Sequence, residues 1–162
     1  MNKVLSVLVL AAAGLASVAI ASGAKPPAKT FVAVMNSKQE VPHCDSATNA
    51  ARGVFVAHVT NEAAGTVRWK IVANNLPGDI IAAHIHIGPK GVAGPVVQPT
   101  PPTPGKENGV VGRGSFSNPA LLAAIRANPG NYYVNVHTDT CTSGVIRGQL
   151  GDHGPAKRGH KP

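Results

Sequence analysis

The sequence predicts a mainly β protein, an antiparallel β-sandwich with one short helix near residues 119–128. Three observations lead to this prediction. Eight short runs typical of strands recur along the chain, with turn residues between them. Gly (18) and Pro (14) make up about a fifth of the 162 residues, which disfavours a helical bundle. The 43% apolar and 14% charged fractions are typical of a globular domain, so the composition argues against disorder along the whole chain.

Each predicted strand is bounded by glycine, proline or polar turn residues. The strands are predicted at residues 31–37, 53–60, 66–73, 80–88, 95–98, 109–117, 132–138 and 144–150. A short loop that ends in Gly65 joins the second strand to the third, which indicates a hairpin. In the third strand Val67, Trp69 and Ile71 alternate with basic residues, the pattern of a strand with one buried face.

The predicted helix has recognisable ends. Asn118 occupies an N-cap position and Pro119 the first helical position. The run ALLAAIRA continues the helix, and the residues 128–130, Asn-Pro-Gly, end it. The proline-rich stretch 98–109 is predicted to be a surface loop between strands.

The N-terminal residues 1–24 have the features of a signal peptide. Lys3 supplies a positive charge, an apolar stretch follows, and small residues before Lys25 offer cleavage sites. An uncleaved membrane anchor is the alternative, because the apolar stretch nearly reaches spanning length. We expect a secreted or periplasmic protein without membrane contact after cleavage. A linker at 25–30, one domain at 31–150 and a disordered basic tail at 151–162 complete the predicted organisation.

Two cysteines, Cys44 and Cys141, are present in the chain. In an exported domain such a pair most often forms a disulfide. The alternative role, a thiolate metal ligand, stays open at this point.

The formal charge of +8 is concentrated in the termini. Between Thr30 and Leu150, nine Lys or Arg residues face six Asp or Glu residues, so the domain is only mildly basic. Nucleic-acid surfaces combine clustered cations with stacking aromatics, and the sequence shows neither. We therefore expect no nucleic-acid partner.

The strongest candidate site combines His84 and His86 with His137. Residues i and i+2 of a strand point to the same face and lie about 6.6 Å apart, so His84 and His86 can converge on one ion. Alternation within residues 132–138 sets His137 on the outer face of its own strand. If the two strands are neighbours, the three imidazoles can hold copper(II) or zinc(II). The alternative is a set of solvent-side histidines that bond Thr, Asp or water.

Further residues are candidates for supporting this site. Asn135, Asp139 or a backbone carbonyl is expected to accept a hydrogen bond from a ring nitrogen and so fix the histidine tautomer. The patterns G-x-S-x-G, the P-loop, H-E-x-x-H and the EF-hand are absent from the sequence, and the seven acids are scattered. No catalytic residue is assigned, and we lean towards a protein without enzymatic activity.

Three segments together resemble the chordin-type (CHRD) domain over residues 31–150. These segments are HIHIGP at 84–89, YVNVHT at 133–138 and GVIRGQL at 144–150. In chordin such domains belong to an extracellular signalling antagonist, and single-domain exported bacterial versions resemble this chain. The resemblance implies fold and location more than function. The chain departs from the pattern at Ile87, where the family often passes directly from His to Gly-Pro.

A fainter similarity is to Cu/Zn superoxide dismutase, in which a strand H-x-H and a later strand histidine bind copper. His84, His86 and His137 match those ligands in order, while the bridging histidine and the zinc cluster have no counterpart. The resemblances imply a Greek-key sandwich of immunoglobulin-like or superoxide-dismutase-like type. Arg147 is a candidate for attracting an anion, with a surface salt bridge or a bond to a loop carbonyl as the alternative.

Two functions follow as hypotheses. The first is an extracytoplasmic interaction module for an unknown protein or ligand, without a cofactor. The alternative is a copper or zinc protein that uses the three histidines, with redox activity of the superoxide-dismutase kind.

Overall fold

The computed structural model describes residues 27–151. The signal peptide predicted at 1–24 and nearly all of the predicted tail lie outside the described residues. The strands are β1 (Thr30–Asn36), β2 (Arg52–Asn61), β3 (Thr66–Asn74), β4 (Ile80–Ile87), β5 (Val96–Pro99), β6 (Gly109–Ser117), β7 (Tyr132–Thr138) and β8 (Ile146–Gln149). One α-helix, α1 (Pro119–Ala127), lies between β6 and β7. The mainly β prediction is confirmed.

The eight strands form one antiparallel sheet, in the order β5-β4-β7-β8-β1-β2-β3-β6. This sheet curls into a half-barrel around the apolar core. The predicted layers are thus two halves of one sheet, joined where β1 pairs with β8 through Asn36 and Arg147. Phe55, Ile71 and Val134 are fully buried in the core between these halves.

The sheet is closed by the proline-rich stretch, and not by pairing of its edge strands. The backbone N–H of Thr100 donates to Ala83 of β4 at 2.9 Å, and that of Thr103 donates to Val111 of β6 at 2.7 Å. Residues 100–103, here called the closing segment, therefore bridge the two sides of the open sheet. The first two residues of the predicted surface loop, 98 and 99, belong to strand β5, and Thr100 is fully buried. This part of the stretch is therefore not a surface loop.

Helix α1 begins and ends where the sequence predicts. The side chain of Asn118 accepts a hydrogen bond from the backbone N–H of Leu121 at 3.0 Å, which satisfies one free donor of the first turn. Leu121, Leu122 and Ile125 are buried against the core. In the described residues, no helix is long and apolar enough to cross a membrane.

The predicted disulfide between Cys44 and Cys141 is confirmed, with a Cα–Cα distance of 5.8 Å. It connects the segment after β1 to the turn after β7. Neither sulfur is a free thiolate, so the alternative role as a metal ligand does not apply.

The outer face of β4, β7 and β8 is polar but largely covered. Strand alternation places the three histidines on this face, opposite Ile85, Val134 and Val136. We expected this face to be open to solvent. Instead, the loops after β4 and β7 and the segment after β1 fold over it, and His86 is only 8% exposed. The pattern of alternation defines the face of a strand, but it carries no information on loops that cover that face.

Candidate metal centre

The pairing of β4 with β7 brings the three histidines together. His84 lies opposite Asn135, His86 lies opposite Tyr133, and His137 lies opposite Ala82, diagonal to His84. One ring nitrogen from each of His84, His86 and His137 lies within 4.8 Å of the other two. We call these three residues the histidine cluster.

The spacing of one pair of ring nitrogens matches what one metal ion needs. The Nδ1 atom of His84 and the Nε2 atom of His137 are 3.2 Å apart. Two ligands bound at about 2.0 Å in tetrahedral geometry are about 3.3 Å apart. Without an ion, the same distance suits one hydrogen bond between a protonated and an unprotonated nitrogen. The pair therefore needs little movement to accept a metal.

Two histidines are oriented by backbone carbonyls. The Nδ1 atom of His86 lies 2.8 Å from the carbonyl oxygen of Gly94, and that of His137 lies 2.9 Å from the carbonyl oxygen of Thr142. Because a carbonyl only accepts, each Nδ1 carries the proton and each Nε2 presents a lone pair. The Nε2 atom of His86 is buried and has no hydrogen-bond partner among the described residues.

The two polar side chains expected to support the histidines bond elsewhere. Asn135 donates from its Nδ2 atom to both carboxyl oxygens of Glu40 at 2.9 Å. Asp139 accepts from the backbone N–H of Asp79 at 3.0 Å. A carbonyl was the remaining candidate for that role, and carbonyls occupy these positions at His86 and His137.

An aromatic stack holds His86 in place. Its ring lies parallel to that of Tyr133, with centroids 4.7 Å apart. The guanidinium carbon of Arg147, on the neighbouring strand β8, lies 3.5 Å from the centre of the same tyrosine ring. The Tyr133 hydroxyl accepts from the Gly94 N–H at 3.0 Å and lies 3.3 Å from the Gly94 carbonyl oxygen. The loop after β4 is thus tied to the same tyrosine that positions His86.

All three histidines are biased towards the neutral form. Burial lowers the pKa of His84, His86 and His137, and the charges of neighbouring histidines lower that of His84 further. The bonds to Gly94 and Thr142 oppose this effect without reversing it. Neutral imidazole is the form that binds a metal, so the cluster keeps its ligand form at lower pH than a free histidine.

Arg147 is buried and not at an open surface. Its guanidinium donates to the side-chain oxygen of Gln149 and to the carbonyl of Pro89, while its Nη1 atom has no partner among the described residues. Burial lowers its pKa, while Tyr133 and Glu40 raise it. The bond to the Pro89 carbonyl is the loop-carbonyl contact named above as an alternative to anion attraction.

Sequence reasoning missed two residues of this region, Glu40 and Tyr133. Glu40 is buried beside Asn135, and this burial raises its pKa to about 7. Nothing in the local sequence marks Glu40, since the contact joins residues 95 positions apart. Tyr133 could have been found from its alternation with Val134, which places its ring on the face of Asn135 and His137.

The fold and covalent link define a disulfide-linked antiparallel β domain, and the disulfide is consistent with an oxidising compartment. A family model described as CHRD domain matches residues 31–150, and the chain belongs to this family. No curated protein and no solved structure matches the chain.

Proposed function

We propose that this CHRD domain binds copper(II) or zinc(II) through His84, His86 and His137 outside the cytoplasm. The observation that carries the proposal is the buried Nε2 atom of His86, which has no partner among the described residues yet lies within 4.8 Å of the other two ring nitrogens. A buried polar atom left without a partner costs about 1–3 kcal/mol. An ion bound at this position would remove that cost.

The chemistry of the donors supports copper or zinc over other metals. Three neutral imidazoles without a thiolate or carboxylate suit Cu(II) and Zn(II), and do not suit Mg²⁺ or Ca²⁺, which prefer oxygen. His84 and His137 are partly exposed, so water or a small ligand can reach a fourth position. Redox activity at copper is a narrower proposal that needs this open position.

Calorimetric titration of Cu(II) and Zn(II) into the mature protein tests the proposal. His86→Ala should weaken binding by about a hundredfold or more, because it removes one of three ligands. The matched control is His58→Ala, an exposed histidine on β2 that bonds Thr30. A double variant, His153→Ala with His160→Ala, tests the tail. Thermal unfolding of each apo variant shows whether it folds.

The outcomes separate the alternatives. Loss of binding in His86→Ala alone supports the histidine cluster. If the tail variant loses binding while His86→Ala keeps it, the proposed site is wrong. A parent protein that binds neither ion overturns the metal function. Superoxide dismutation by the copper-loaded parent, absent from His86→Ala treated with the same amount of copper, would support the redox proposal, and its absence from both would overturn it.

A second candidate function is an interaction module, as the sequence first suggested. One observation favours it. Strands β1, β2, β3 and β6 carry four Lys or Arg residues and no Asp or Glu, and all four cations are exposed.

A further inference from the structure

A cluster of positive charge lies on the outer face of β2, β3 and β6, away from the histidine cluster. Cross-strand pairing places Lys70 directly opposite Arg113, and Arg68 lies two residues along β3 on the same face. Arg52 lies on the same face of β2. We call Arg52, Arg68, Lys70 and Arg113 the basic face. In the sequence these cations are dispersed, whereas the sheet places all four on one face, with Arg68, Lys70 and Arg113 near one another and Arg52 at the far end of β2.

The basic face has no internal compensation. Like charges directly opposite each other on neighbouring strands destabilise a sheet. Within residues 27–151, the one salt bridge joins Arg126 to Glu62, so no acid neutralises the basic face there. The opposed Lys70 and Arg113 side chains are therefore expected to attract anionic groups from outside the domain.

Hydrogen-bonding and apolar side chains flank the cations. One row across the sheet contains Thr30, His58, Arg68 and Ser115. Another contains four valines, of which Val54 and Val110 are 36% and 41% exposed. The surface is shallow, so a ligand must make many contacts along its length instead of entering a deep pocket.

Several occupants fit this face poorly. A second copy would bring like charges together. A bilayer surface is disfavoured because no Trp, Tyr or Phe side chain points outward among the cations. The same lack of aromatics disfavours single-stranded nucleic acid, which binds through base stacking. A protein partner is disfavoured because the buried centre of a protein interface is depleted of charged residues, whereas cations lie in the middle of this face.

We propose that the basic face binds an anionic polysaccharide, with carboxylate groups at Arg68, Lys70 and Arg113. Sugar hydroxyls would bond His58 and Ser115, and the C–H faces of sugar rings would pack on the valines. This inference rests on the second candidate function and names its ligand class. It is independent of the metal site.

Alginate, a polyuronate, is the probe, with neutral dextran of similar length as the reference. Binding to the full mature chain is measured by affinity electrophoresis at several salt concentrations. Lys70→Gln with Arg113→Gln should weaken alginate binding about tenfold at low salt and should flatten its salt dependence. Because both side chains are exposed and repel each other, this variant should be at least as stable as the parent.

Two controls remove the same charge elsewhere. Lys38→Gln with Lys106→Gln changes two exposed cations outside the basic face, and Lys157→Gln with Arg158→Gln changes the tail. Both should retain alginate binding within about twofold. Equal losses in all three variants, or no preference of the parent for alginate over dextran, would overturn the inference.

Further probes separate failure of the ligand class from failure of the module. If poly-glutamate, or vesicles rich in phosphatidylglycerol, bind the basic face as well as alginate does, the polysaccharide assignment is wrong while an interaction module stands. If none of these anionic probes depends on Lys70 and Arg113, the interaction surface itself is wrong.

Discussion

At the scale of single residues, the covered polar face concentrates the unusual chemistry of this domain. Glu40 and Arg147 are both nearly inaccessible to solvent, yet they form no direct salt bridge among the described contacts. Asn135 donates to Glu40, while carbonyl oxygens and the Tyr133 ring surround Arg147. Buried ionisable groups held in this way make stability sensitive to pH.

The first prediction concerns Glu40, whose pKa is raised to about 7 by burial. Because this carboxyl group ionises more readily in the unfolded chain, the free energy of unfolding falls as pH rises from about 4.5 to above 7. Replacing Glu40→Gln should remove this loss. As pH rises from 4.5 to 8, the free energy of unfolding of the variant should increase by roughly 2–4 kcal/mol relative to that of the parent, measured by urea unfolding.

The amide of Asn135 offers a partner for the new glutamine. Its Oδ1 atom has no partner among the described residues, so a rotated amide can accept from Gln at position 40. Glu107→Gln, on an exposed loop, is the matched control and should change stability little at either pH. A difference between Glu40→Gln and parent that is the same at pH 4.5 and pH 8 would contradict the prediction.

The second prediction concerns the pH dependence of metal binding. Because the pKa values of His84, His86 and His137 are lowered, their neutral forms persist below the ordinary value near 6.5. Zinc affinity should therefore change little as pH falls through 6.5 and decline only at lower pH. A His-x-His peptide in free solution is the comparison. Parallel pH profiles for peptide and protein would show that the fold does not tune these histidines.

At the scale of elements, the sequence contains most of what positions the site. Alternation places His84 and His86 opposite Ile85, because a strand has a period of two. The motif Asn118-Pro119 marks the start of α1, because its capping contacts are local. By contrast, the adjacency of β4 and β7 depends on the whole strand order. The sequence alone therefore predicts that His137 meets the other histidines only if these two strands are neighbours.

The third prediction tests the cap of α1. Asn118→Ala removes the acceptor for the Leu121 N–H and should destabilise the domain by about 1 kcal/mol in thermal or urea unfolding. Asn128→Ala, at the other end of the helix, is the control, because that side chain makes no capping hydrogen bond to the turn that follows. Equal losses in the two variants would argue against a specific role for the Asn118 side chain.

At the scale of the whole molecule, the described domain depends on contacts between distant parts of the chain. The disulfide spans 97 positions, and the central pairing of β1 with β8 joins the N-terminal and C-terminal strands. Cysteine count and export predicted this link, but the covering loops and the single curled sheet depend on packing among many strands. No local pattern specifies such packing.

The fourth prediction concerns this covalent link. Cys44→Ser with Cys141→Ser should lower the melting temperature, because a bridge closing about 100 residues contributes up to about 4.7 kcal/mol in the chain-entropy model. The reduced parent is the control for the serine substitutions and should melt near the double variant. Since the histidine cluster forms from β4 and β7, the folded variant should still bind metal. A melting temperature equal to that of the oxidised parent would contradict this prediction.

The closing segment also bears on how the domain avoids self-assembly. Exposed strand edges act as templates on which other chains add strands, as in amyloid. Here Thr103 occupies a carbonyl of edge strand β6, and the neighbouring Pro101 and Pro102 have no N–H with which to continue a ladder. The opposite edge strand, β5, has four residues and ends in a proline. The proline-rich stretch thus lies along both margins of the sheet, where its prolines disfavour the addition of a further strand.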